Sequence, residues 1–245
     1  MCYAYKPVRL PSGRLTKMFD KEVRRLLRDG IIKETSDGFY YPKATVEVMT
    51  AGGEVKPMRW DLIPSGFLRQ YGFTLPEVIR KKNSRAKNPD TGRNWGFDTY
   101  NSRIETVSSL WSFKDAWKTG KRGLVPVEAW RERPNMDGAP NEFTGREYEV
   151  SLDSPHFLAA LFDTWKSKDG ETLDSCTIIT GPSDEIPALQ GIYHERTPIV
   201  LDDQTAEAWI DPTTTPEMAM AMLKGAPVPE LKITEITKPK KQANE

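Results

Sequence analysis

Cys2 follows the initiator methionine directly in "MCYAYKP", and the chain has one other cysteine, Cys176. A small second residue invites removal of the methionine, so Cys2 is expected to begin the mature chain with a free α-amine beside its thiol. This 1,2-aminothiol can add to a carbonyl through nitrogen and close a ring through sulfur. An internal cysteine cannot, because its nitrogen is locked in an amide. An α-amine with a pKa of about 7.7 to 8.0 keeps a usable neutral fraction at pH 7, whereas a lysine near 10.4 does not.

Three further stretches supply partners: "YNSRIET", "PVEAWRER" and "IYHERTPIVL". They offer an amide to orient the nucleophile, Asn101, and an acid and a base, Glu132 and His194, the parts of carbonyl–amine chemistry. Each alone also reads plainly, Asn101 as a turn former or helix cap, Glu132 as a surface charge, His194 as a loop histidine. A thiol hydrolase with Cys2 as nucleophile and His194 as base would use the same set. Two cysteines and two histidines form neither a disulfide framework nor a zinc pattern, so no metal or other cofactor is expected.

Residues 80 to 103 mix cations (Arg80, Lys81, Lys82, Arg85, Lys87, Arg93, Arg103) with Trp95, Phe97 and Tyr100. That mixture suits a single-stranded nucleic acid, whose phosphates need charge and whose bases need flat faces. It also describes an ordinary solvated loop, the commoner case. Thirty-five basic residues balance thirty-five acidic ones, so no global field announces a nucleic-acid or membrane partner. No run is long or apolar enough for a signal peptide or a membrane span, and a cytoplasmic monomer, nucleoid-associated if bacterial, is the expectation.

The elements that must position these residues are legible in outline. Leu15, Met18, Phe19, Val23, Leu26 and Leu27 share a helical face over 14–29, and Gly30 supplies a stop. "ATVEVMTAGGEVKPMRW" alternates on both sides of "AGG", as a hairpin does. Residues 104–119 read as a helix with Ile104, Leu110, Trp111, Phe113, Ala116 and Trp117 available to pack. "GLVPVEAW", "EYEVSL", "FLAALFDTW" and "SCTIITGP" read as strands, with "SPH" and "KDGE" as turns, and two short helices follow around 202–210 and 215–225. The expected fold is α+β: one domain over 1–235 with a mainly antiparallel, barrel-like sheet flanked by helices, then a polar tail, 236–245.

In order and spacing, Met1-Cys2, "WDLIP" (60–64), "NSRIE" (101–105), "PVEAWRE" (126–132) and "HERTP" (194–198) resemble the motifs of the SOS response-associated peptidase family, whose members crosslink to abasic sites in DNA. The resemblance implies Cys2 as the crosslinking residue, Asn101 as its positioning partner, Glu132 and His194 as acid/base groups, and Arg103 as a phosphate contact. It also implies a structural Trp60, Phe67 against the bases and Thr180 lining the pocket. The partner would be abasic, single-stranded DNA. Two departures stand out: Tyr3-Ala4 replaces the family's Gly-Arg after the cysteine, and Arg133 replaces the tryptophan after the glutamate. With that arginine missing, Lys81, Lys82 and Arg85 are the substitute phosphate contacts.

Overall fold

The computed structural model describes residues 2–7, 14–33, 35–88, 92, 94 and 96–237. Met1, Arg93, Trp95 and the tail from 238 onward, all part of the expectations above, lie outside the described residues. Helix α1 (Arg14–Arg28) buries Leu15, Phe19, Val23 and Leu26, spaced by three or four residues as one face requires. It ends where the sequence indicates. Gly30 turns at φ +69°, and Ile31 N–H reaches back to the Leu26 carbonyl, which closes the last turn.

Strands β1 (Ala4–Lys6), β2 (Thr45–Met49), β3 (Val55–Trp60), β4 (Asn101–Arg103), β5 (Arg122–Glu132), β6 (Tyr148–Lys166), β7 (Thr172–Pro182), β8 (Arg196–Pro198), β9 (Val200–Leu201) and β10 (Leu231–Glu235) form one sheet. The path β5-β2-β3-β7-β6 returns to β5, which closes a five-stranded barrel. Most pairings are antiparallel, while β3 and β4 each run parallel to β7. Closure is tight where β2 meets β5 at Met49–Leu124. A Cβ on the neighbouring Gly123 would lie 2.5 Å from Val48 Cγ1, so this position takes no side chain.

Alternation along the strands separates two cores. Leu158 and Ala160 of β6 join Val46, Val48, Met58, Trp60, Val125, Val127, Cys176 and Ile178 in the barrel interior. Phe157, Ala159 and Leu161 face the other way. They meet α1, Trp117 of α3 (Lys114–Lys118), Trp209 of α5 (Asp203–Trp209) and Leu223 of α6 (Pro216–Lys224).

Three expectations are corrected. "SPH" is not a turn: β6 runs unbroken from 148 to 166, and the irregularity appears as a register shift, with Val127 opposite His156 but Ala129 opposite Ser151. The 104–119 helix shrinks to α3, because Thr106, Val107, Ser108 and Ser109 are poor helix formers and the chain takes successive turns there. The charged stretch from residue 80 begins inside a helix, α2 (Leu75–Lys82), whose start is marked in the sequence by the Thr74–Glu77 capping box. No helix among the described residues is long and apolar enough to cross a membrane.

Candidate functional site

Cys2 precedes β1, which lies antiparallel on β5 with Ala4 opposite Arg131. The side chain is fully buried among the barrel-interior residues, and its Sγ lies 3.5 Å from the Ala4 carbonyl oxygen. Asn101, first residue of β4, donates from Nδ2 to the Cys2 carbonyl at 2.8 Å. Its Oδ1 is buried without a hydrogen-bond partner, an acceptor on the residue that holds the Cys2 carbonyl. Burial, and after it the negative charge of Glu132, push the Cys2 thiol well above its ordinary pKa. The thiol is therefore held neutral near pH 7.

Glu132 and His194 are both completely buried, with Nε2 of His194 2.9 Å from Oε2 of Glu132. The other ring nitrogen, Nδ1, is 2.7 Å from the carbonyl of Arg133. A carbonyl only accepts, so Nδ1 carries a proton. The two side chains thus meet as one buried acid–base pair.

Strand alternation alone would not put Glu132 here. Val125 and Val127 face the barrel interior, yet so does Trp130, three residues on. The irregularity between Val127 and Ala129 shifts the phase by one, and Glu132 follows Trp130 onto that face. Arg131 and Arg133 take the opposite face. Arg131 covers the Phe39 ring and Arg133 covers Tyr3. Burial and then the charge of Glu147 push the Tyr3 phenol up to about 12.

The residues assigned to DNA contact divide. Arg103 on β4 is exposed, as are Arg80, Arg85 and Lys87 around the end of α2, with Lys81 half-buried. Lys82 is a correction. It turns inward, 2.7 Å from Asp61 and in contact with the Phe97 carbonyl, because Asp61 is itself fully buried and needs a cation. Thr180 is a second correction. Its hydroxyl donates to the Ser102 carbonyl, and its own carbonyl accepts from Arg196, so it ties β4 to β8 instead of lining a pocket. Arg196 is committed as well, to both oxygens of Glu105.

Phe67 is the third correction. It is buried against Ile63, Leu68, Val78 and Trp165, with its ring edge-on to Phe97 at 5.1 Å. Trp111 is an exposed aromatic on this cluster, 49% accessible, and meets Phe97 at 5.1 Å. Helical spacing alone places Trp111 among packing residues. Its flanking serines, Ser109 and Ser112, are the available sign of a turn. Trp60 is structural as expected, buried and donating from Nε1 to the Tyr100 carbonyl.

A cavity of about 620 Å³ has Trp130, Ile186 and Ile199 among its lining residues. None of Cys2, Asn101, Glu132 and His194 lines it, and its carboxylates Glu105, Asp184 and Glu185 disfavour phosphate. Among the described residues no cluster of metal ligands occurs.

Comparison with known proteins identifies relatives of this chain. The abasic site processing protein YoqW of Bacillus subtilis is 28% identical over 130 residues, covering 53% of this chain and 55% of that protein. The abasic site processing protein HMCES of Gallus gallus is 28% identical over 187 residues, 69% of this chain and 49% of that protein. The chain thus spans about half the length of the curated relatives it matches. A crystal structure from Bordetella bronchiseptica superposes with a TM-score of 0.67 at 19% identity over 96% of this chain and 99% of that one, and one from Bacteroides thetaiotaomicron with 0.66 at 19% over 96% and 92%, which establishes a shared fold. The SOS response associated peptidase (SRAP) pattern matches residues 32–241, a span that holds Asn101, Glu132 and His194 though not Cys2, and the chain belongs to that family.

Proposed function

We propose that this protein processes abasic sites in DNA by covalent capture, with Cys2 as the crosslinking residue once Met1 is removed. The observation that carries this reading is the convergence on Cys2: its carbonyl is fixed by Asn101, and its thiol feels the charge of Glu132, which is paired with His194. The names of the relatives point to the same substrate.

An abasic sugar opens to an aldehyde at C1′. The neutral α-amine of Cys2 adds to that carbon and gives a carbinolamine, which loses water to become an imine. The S–H then adds across the C=N bond, sulfur to carbon and proton to nitrogen, and closes a five-membered thiazolidine. One water leaves overall. Each step moves a proton, and the Glu132–His194 pair can accept one from the ammonium and return it to the departing hydroxyl. A neutral thiol fits this order, because the amine attacks first and the sulfur closes the ring intramolecularly.

DNA reaches the site across the exposed cations Arg103 and Arg85 and the half-buried Lys81, and Trp111 offers a flat face to an unstacked base. That pairing of charge with an open aromatic favours a single strand. A thiol hydrolase fits less well, since it needs a thiolate and burial raises the thiol pKa.

Intact mass of the purified protein, alone and with an abasic oligonucleotide, tests the reading. The expected result is loss of Met1 and an adduct equal to protein plus oligonucleotide minus one water. Protein with an uncleavable residue before Cys2 should form no stable adduct. If that extended protein crosslinks as well as the native one, the amine is dispensable and the proposal fails.

A further inference from the structure

Cys2 lies two residues outside a three-residue strand, and short terminal strands fray. Asn101 secures one side, through the Cys2 carbonyl. The other side is secured through Tyr3. The Arg133 guanidinium sits 4.4 Å from the centroid of the Tyr3 ring, and its Nε donates to Glu147 Oε1 at 2.8 Å, with Nη2 on the same oxygen. Glu147 is anchored in turn. Its carbonyl accepts from Ile236 N–H and its own N–H reaches Thr237 Oγ1 at 3.0 Å. The backbone carbonyl of the same Arg133 receives the Nδ1 proton of His194.

We infer that Arg133 is a positioning residue, a clamp whose side chain pins the Tyr3 neighbour of the nucleophile while its carbonyl orients the histidine of the proton-transfer pair. This deepens the proposed reaction and rests on it for the crosslinking readout only. Both partners of the stack, Tyr3 and Arg133, stand among the positions at which the chain departs from the motifs it resembles. A ring at position 3 fills space a glycine leaves open, and a cation at 133 meets its face where a second bulky ring would compete for that space.

The test compares the full-length parent with Arg133→Ala, Tyr3→Ala, Tyr3→Phe and the Arg133→Ala/Tyr3→Ala double variant. Iodoacetamide labelling followed by peptide mass analysis reports access to Cys2, with the buried Cys176 as internal reference. Crosslinking to an abasic oligonucleotide gives the rate at saturation and the half-saturating concentration. Arg133→Ala and Tyr3→Ala should each label Cys2 about fivefold faster with Cys176 unchanged. They should lower the saturating rate about tenfold at an unchanged half-saturating concentration. The double variant should be no worse than either single one, because each removes the same stack. Tyr3→Phe keeps the ring and should match the parent.

Unchanged labelling of Cys2 would overturn the clamp, as would equal acceleration at Cys176, which signals general loosening. A raised half-saturating concentration at an unchanged rate would also overturn it and make Arg133 a DNA contact. A parent that fails to crosslink defeats the proposed function alone, and the labelling comparison still decides the clamp.

Discussion

Asn101 Nδ2 donates to the Cys2 carbonyl at 2.8 Å across 99 residues of sequence, so the segment carrying Cys2 is held by β4, a strand that pairs with β7 off the barrel path. Asn101→Ala removes that donor and leaves the segment free to shift. Crosslinking should slow about 10- to 100-fold, because small misplacements of a reacting group cost that much. Stability should change by about 1 kcal/mol, the value of one hydrogen bond. A time course on denaturing gels beside a urea titration checks both. A parental crosslinking rate would remove Asn101 from the site.

Glu132→Gln and His194→Ala each break the buried Glu132–His194 pair. Either should reduce the crosslinking rate by about 10² to 10⁴, with noncovalent affinity for the oligonucleotide retained. Their effects should not add, since each variant disables the same pair. Rates of the single and double variants, measured with affinity on an unreactive strand, give the answer. Fully additive losses would mean that the two residues serve separate steps.

Lys81 and Lys82 are neighbours in sequence with opposite tasks. Lys82→Ala leaves Asp61 buried with only Arg59 and Thr99, and should cost about 3 kcal/mol, the low end for a broken buried pair. Lys81→Ala with Arg85→Ala should leave the urea midpoint nearly unchanged. That double variant should flatten the plot of log affinity against log salt by about 0.7 for each phosphate it no longer neutralises. An unaltered slope would return this surface to an ordinary solvated one.

Both cysteines titrate above their ordinary range. Burial is the first cause in each, followed by the charge of Glu132 for Cys2 and of Asp61 for Cys176. The folded state therefore keeps both thiol protons at pH values where the unfolded chain has released them. The thiols' contribution to stability is full below about pH 8.5 and is lost as pH rises above it, at about 1.4 kcal/mol per pH unit per thiol. Urea midpoints between pH 7.5 and 10.5 should fall more steeply for the parent than for Cys176→Ala. Parallel curves would show that Cys176 does not ionise on unfolding.

The sequence by itself determined the amphipathic helix α1, the hairpin of β2 and β3, the terminal helices α5 and α6, and the mainly antiparallel character of the sheet, because each follows from local spacing of apolar residues and from turn chemistry. It also yielded Cys2, Asn101, Glu132 and His194 as residues able to do carbonyl–amine chemistry. Only the tertiary structure decided how they meet. Strict alternation from Val125 and Val127 would turn Glu132 away from the barrel interior, and the register shift against β6 reverses it. That shift depends on pairing with residues 148–156, which are remote in sequence. The same holds for Lys82, drawn inward by a buried carboxylate 21 residues away, and for Phe67 and Trp111, whose shared cluster exposes the second and covers the first. A charge or a ring is visible in a sequence; which side of it meets water is settled by what packs against it.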